Sequence, residues 1–231
     1  LAHNVTDFHT EVLEASREAP VLVDFWAEWC APCRVLGPVL EGMAAAAHGR
    51  WRLAKVDTER HPELADRYGI RGIPDVRLFV DGEPVDGFVG ALPEPAIKRW
   101  LDGALAVLEA RSFLFTDPAR AAALVEGVEP GGPGGEALLG LQSMARLLLR
   151  AQAPPPEGEG AVVERYMEAL QALSRKDFQA ALEGFVHVVR SHRTLDGEGA
   201  REGCVAIFRH LGPEHPLTLR YRKELAAALY M

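Results

Sequence analysis

The sequence predicts two domains of different class: a mixed α/β sheet flanked by helices over residues 1–103, then an all-helical domain over residues 104–231. Three observations predict this. Strand-like and helix-like segments alternate through the first hundred residues and end in an Asp-Gly hairpin signal. Beyond residue 104 no strand pattern recurs, and Ala and Leu dominate segments broken by Pro- and Gly-rich tracts. A chain of 231 residues also exceeds the length of about 100 to 200 residues that one core usually serves.

The elements of the first domain follow in order. Phe8, Val12 and Leu13 stand at helical spacing among polar neighbours in residues 6–17, with Thr6 or Asn4 as the cap. VLVDFWA (21–27) is β-branched, aromatic and almost continuously apolar, as a central strand buried on both faces should be. After the motif WCAPC, Val35, Leu36, Val39, Leu40 and Met43 recur at helical spacing, with Pro38 expected to kink the helix. WRLAKVD (51–57) predicts a second strand, and HPELADRYG (61–69) a helix closed by Gly69. DVRLFV (75–80), the turn DGE (81–83) and PVDGFVG (84–90) predict the hairpin. A closing helix from Glu94 to Asp102 presents Ile97, Trp100 and Leu101. Parallel strands joined by a crossover helix, then an antiparallel hairpin, give a mixed sheet covered on both faces.

In the second domain, the tracts EPGGPGG (129–135) and APPPEGEG (153–160) lie between helix-like segments and read as loops of one helical array, with interdomain linkers as the alternative. Residues 162–192 read as two antiparallel helices joined near Arg175–Asp177, with Tyr166, Ala169, Leu170, Leu173, Phe178, Ala181, Leu182 and Phe185 facing inward. That spacing is similar to a tetratricopeptide helix pair, including a small Ala at the close-approach position, although no strict period extends it. GAREGCVAIFRHLG and PLTLRYRKELAAALYM supply a further pair. In the last helix Leu217, Tyr221, Leu225 and Leu229 form an apolar stripe, which serves either the chain's own core or a partner.

Composition narrows the function classes. The chain is 48% hydrophobic and 25% charged, and no apolar run approaches the roughly 18 to 20 residues that cross a bilayer, so a soluble protein without a membrane partner is expected. The formal net charge is -8, with 11 basic and 17 acidic side chains in residues 1–103 and 14 and 16 in the remainder. Neither segment carries the Lys/Arg stripe that phosphate tracking needs, which argues against nucleic acid. The N-terminal residues lack the features of a secretory signal, and three cysteines do not make a disulfide-stapled scaffold, so a reducing cytoplasm is expected. The eight His residues form no pair at metal-ligand spacing on one face; His187 and His192 read as solvated helix-end residues, and no metal is expected.

The chemistry concentrates at WCAPC. A cysteine at a helix start is favoured as thiolate, because unpaired backbone N–H groups and the helix dipole stabilise the anion. Cys30 takes that place as attacking thiol. Cys33, one turn further, can attack a mixed disulfide on Cys30 and release the reduced partner, and its burial keeps it in reserve. The redox-active pair Cys30–Cys33 needs no cofactor. CxxC is also half a zinc site, but no second Cys/His pair stands at a suitable spacing, and the strand-to-helix context favours redox chemistry. Asp24 interrupts a buried apolar strand, which is costly unless the carboxylate performs chemistry or is paired structurally with Lys55. Cys204 lies on an apolar helical face with Val205, Ile207 and Phe208 and reads as a buried small hydrophobe.

VLVDFWAEWCAPC, KVDTE, RYGIRGIPDVRLFVDGE and FVGAL, in this order and spacing, resemble the thioredoxin family across residues 1–103. The resemblance implies a thioredoxin fold in which Pro74 is a cis-proline facing the disulfide and the backbone of Ile73 pairs with an extended substrate. It implies that Asp24 and Lys55 lie beneath the cysteines and assist proton transfer to and from Cys33. Trp29 is expected to shape the surface around Cys30 and Trp26 to be structural. Gly69, Gly72 and Gly90 are expected to serve backbone geometry, Gly90 also bordering the substrate groove. Ala31 stands where the family often has Gly, and Asp75 where it usually has Thr; a carboxylate there is expected to repel acidic substrates or raise the thiol pKa.

With its helical half included, the chain is similar to the chaperedoxin (YbbN/CnoX) family, whose C-terminus IFRHLG and RYRKELAAALY resemble. This implies a holdase and protein-disulfide reductase that binds unfolding or oxidised client proteins and protects their cysteines through mixed disulfides. Such a protein hands clients to the GroEL chaperonin or the DnaK system, and thioredoxin reductase or another thiol reductant restores its dithiol. The resemblance also points to a chaperonin contact by the extreme C-terminus, through Tyr221, Leu225 and Leu229. The competing reading is a thioredoxin-like reductase dedicated to one client, with the helical half as docking module. A scaffold with vestigial cysteines conflicts with the intact WCAPC and GIP motifs.

Overall fold

The computed structural model describes residues 3–129, 135–158 and 160–230. They gather into two compact units that divide between Asp102 and Gly103. In the first, β1 (His3–Asn4), β2 (Val21–Trp26), β3 (Arg52–Asp57), β4 (Asp75–Val80) and β5 (Glu83–Val89) form one sheet in the order β1-β3-β2-β4-β5. β3 runs parallel to β1 and β2, whereas β4 is antiparallel to both β2 and β5. β2 occupies the centre because Val21, Leu22, Val23 and Phe25 bury their side chains on both faces. The sequence pattern missed β1, since two residues are too few to show a period.

The segment expected as a helix over 6–17 is a π-helical turn, His9–Glu14, followed by a 3-10 turn, Ala15–Arg17. Asp7, and not Thr6 or Asn4, caps its entry: Asp7 Oδ1 accepts the His9 N–H at 3.0 Å. Glu11 reaches back to accept the Thr6 and Asp7 N–H groups at 2.8 and 2.7 Å, a reciprocal arrangement akin to a capping box. Phe8 and Val12 then pack with Phe25, Leu64, Tyr68 and Phe79 on one side of the sheet.

α1 (Ala31–Ala46) leaves β2 after a short loop and contains Pro38, and α2 is Pro62–Arg67. Gly69 closes α2 as expected: its φ of 63° lets the Ile70 N–H return to the Ala65 carbonyl at 2.8 Å. α3 (Glu94–Phe113) corrects the expected stop at Asp102. Gly103 costs a helix only about 1 kcal/mol, and the following ALAVLEARSF is made of good helix formers, so nothing ends the helix there.

Among the described residues the second unit contains no strand. It comprises the later part of α3 with α4 (Pro118–Leu124), α5 (Gly135–Arg150), α6 (Gly160–Ser174), α7 (Phe178–Ser191), α8 (Gly199–Leu211) and α9 (Pro216–Leu229). Asp177 caps α7 by accepting the Ala180 N–H at 3.0 Å. Of the inward-facing positions expected on α6 and α7, all are buried except Phe178, which packs against the core partly exposed. Ala169 does mark a close approach, and its partner is Gly184: a Cβ built there would stand 2.7 Å from Ala169 Cβ. Residues 130–134 and 159 of the two Pro/Gly tracts lie outside the described residues.

Candidate functional site

β2 delivers the chain to the start of α1, where Cys30 is the N-cap in extended conformation and Pro32 occupies the first turn. Cys30 Sγ accepts the N–H of Cys33 at 3.2 Å, so the sulfur takes the place a capping oxygen would fill. The two cysteines form a disulfide with an S–S distance of 2.06 Å. Each is 3% exposed, so burial alone does not set Cys33 apart; position does, Cys30 standing at the N-cap and Cys33 within the first turn of α1. Ala27 is buried with the pair, and Trp26 and Ile73 pack against it.

The Ile73–Pro74 bond is cis. Gly90 (φ 93°) donates its N–H to the Pro74 carbonyl at 2.8 Å, joining the end of the hairpin to the proline segment. Gly90 has open space around it, so the positive φ, and not crowding, requires glycine. Gly72 has neither constraint, contrary to the expectation that it serves backbone geometry. Trp29, next to Cys30, is 67% exposed and Val89, next to Gly90, is 62% exposed, which leaves apolar surface at the two chain segments that frame the site.

Asp24 lies in register between Lys55 of β3 and Val76 of β4 and is 1% exposed. Its Oδ1 is buried without a hydrogen-bond partner. Burial pushes the carboxyl up to about 6, opposed by the Lys55 cation and reinforced by Glu41. The structural ion pair weighed for Asp24 and Lys55 does not form. The Lys55 ammonium instead meets Glu41 of α1 at 2.8 Å and lies 4.9 Å from the centre of the Trp26 ring. Glu41 was not singled out by sequence reasoning, because only packing of α1 on the sheet brings it within reach of Lys55.

Asp75 is buried and held in a two-pronged contact by Arg77, with Nε–Oδ1 at 2.5 Å and Nη2–Oδ2 at 2.8 Å. The carboxylate after the proline is therefore ion-paired with Arg77. Gly87 makes the pairing feasible, since a Cβ there would stand 2.8 Å from Arg77 Cδ. The signal was available: residues two apart on a strand share a face.

In the helical unit Cys204 is fully buried, and burial pushes its thiol up to about 12. Tyr221 and Leu225 belong to the core, Leu229 packs against it, and the Tyr221 hydroxyl donates to Glu183 Oε1 at 3.0 Å. The apolar stripe of the last helix thus packs within the helical core, the first of the two readings given for it. The exposed side of α9 carries Leu219, Arg220, Arg222 and Lys223 instead. Among the described residues no group of three His, Cys, Asp or Glu side chains is arranged to hold a metal, and no helix is long and apolar enough to cross a membrane.

Comparison with known proteins adds the following. The thioredoxin family model matches residues 1–103, and a tetratricopeptide repeat model matches residues 157–230. Thioredoxin 1 of Synechococcus elongatus is 46% identical over 104 residues, which cover 95% of that protein and 44% of this chain. Thioredoxin 1 of a Nostoc species is 44% identical over 103 residues, 94% of its length and 44% of this chain. The thioredoxin of Rickettsia bellii is 42% identical over 104 residues, 97% of its length and likewise 44% of this chain.

Proposed function

We propose, from the premise that this chain belongs to the thioredoxin family, that it is a thiol–disulfide oxidoreductase with holdase activity, a chaperedoxin that captures clients through Cys30 and releases them through Cys33. One observation carries the reading: a Cys30–Cys33 disulfide at the start of the helix that follows the strand holding an unpaired buried Asp24 Oδ1, in a chain that continues into tetratricopeptide-like helices.

In the reduced protein the Cys30 thiolate, stabilised by the start of α1, attacks a client disulfide. A Cys30–client bond forms, and the client's other sulfur leaves as a thiolate that takes a proton from solvent. Asp24 then accepts the Cys33 proton, and the Cys33 sulfur attacks Cys30. The new bond is the Cys30–Cys33 disulfide, and the second client sulfur departs as thiolate. The client gains two electrons, and thioredoxin reductase or another thiol reductant returns them to the protein. Trp29, Ile73, Pro74 and Gly90 form the docking surface, the Ile73 backbone pairing with an extended client segment. Lys55 adjusts the proton affinity of Asp24. The helical unit holds non-native segments of the client for transfer to a chaperonin of the GroEL type or to the DnaK system, and the cytoplasm is the compartment that suits a dithiol kept reduced.

Cys33→Ser, which removes the resolving thiol, is expected to leave many different clients covalently attached when expressed in cells. A single trapped partner would favour a dedicated reductase. Suppression of aggregation of a cysteine-free client separates the two again, since only a holdase protects it. Cys30→Ser is expected to abolish insulin reduction.

A further inference from the structure

We infer that Glu41 is a positioning residue for the proton transfer at Asp24: it holds the Lys55 ammonium on the helix side and keeps the buried carboxyl without an ion-pair partner. The inference rests on the reading of Asp24 as the base for Cys33. Asp24 and Lys55 are register neighbours on parallel strands, so their side chains rise from the same face of the sheet. A lysine in that place would ordinarily neutralise the acid. Its ammonium is instead bonded to Glu41 Oε1 at 2.8 Å, with the Lys55 side chain 18% and the Glu41 side chain 44% exposed.

Three residues of α1 define the path. Cys33, Gly37 and Glu41 follow at intervals of four and so share one stripe of the helix. A Cβ at Gly37 would come to 3.4 Å from Lys55 Nζ, so the ammonium lies against the helix one turn beyond Cys33, where Gly37 leaves it room. The charged groups whose fields reach Asp24 are Lys55 from β3 and Glu41 from α1, while β4 offers Val76. Asp75 and Arg77 pair in register with Phe25 and Val23, on the opposite face from Asp24. Glu41 therefore acts twice, by drawing the cation outward and by its own negative charge, and both effects favour a protonated Asp24.

The test uses the full-length oxidised protein and follows the Asp24 side-chain carboxyl by carbon NMR through a pH titration. Glu41→Gln is expected to move the Asp24 midpoint to lower pH by on the order of one unit, as Lys55 is freed to pair with it. Glu41→Asp should stay near the wild type. In a Lys55→Met background the effect of Glu41→Gln should shrink to the small direct field of the lost charge. An unchanged midpoint in Glu41→Gln overturns the inference while leaving Asp24 as base. In a parallel single-turnover measurement of client release from Cys30, an Asp24→Asn variant with an unaltered pH profile would overturn the base itself, and the role of Glu41 with it.

Discussion

Replacing Asp24 by Asn keeps the shape of the side chain and removes its charge, so the effect on stability should depend on pH in a calculable way. The folded protein holds the carboxyl at about 6, against 3.8 for the same group in the unfolded chain. Because the folded value is the higher one, folding favours the protonated form. The stability it contributes is fully present below about pH 3.8 and is lost as pH rises through about 6. The displacement amounts to about 3 kcal/mol. Asp24→Asn should therefore be more stable than the parent by about 3 kcal/mol at pH 8 and nearly equal to it at pH 4. Urea unfolding followed by tryptophan fluorescence reads the right unit, because the four tryptophans, Trp26, Trp29, Trp51 and Trp100, all lie before Asp102. That choice avoids mixing two unfolding transitions. With a slope of about 1 to 3 kcal/mol per molar urea, the midpoint at pH 8 should rise by about 1 to 3 M. An equal gain at both pH values, or a loss at pH 8, would refute a desolvated carboxylate as the source.

Arg77→Met should destabilise the first unit by about 3 kcal/mol in the same assay, because it strands the buried Asp75 carboxylate, and adding Asp75→Asn should recover most of the loss. Gly184→Ala should cost about 1 to 3 kcal/mol in thermal melts followed by circular dichroism, since the new methyl meets Ala169 Cβ across α6 and α7; Ala169→Gly in the same chain should restore part of it. In the fully reduced native protein, Cys204 should resist alkylation at neutral pH and react only after denaturation, while Cys30, at the start of a helix, reacts in the folded state; rapid labelling of Cys204 in the folded protein would contradict its burial.

Sequence patterning was sufficient wherever the signal was local. The nearly continuous apolar run Val21–Trp26, broken by Asp24 alone, could only be a central strand, the Asp-Gly turn could only join β4 to β5, and Cys30 ahead of a helical period had to stand at a helix start. The cost of burying Asp24 was likewise legible, because a single acid in an apolar strand is conspicuous. Long side chains and element ends were not legible. Lys55 sits beside Asp24 in strand register, yet the carboxylate it meets, Glu41, is 14 residues distant along the chain. α3 passes its expected end because helix propensity sets no stop where Gly103 is the only obstacle. Tyr221 and Leu225 could equally have faced a partner, and their burial followed from packing against the rest of the helical core. Periodicity reports which face of an element is apolar. Which neighbour covers that face, and which charge answers which, depends on distances that exist only after distant segments have packed.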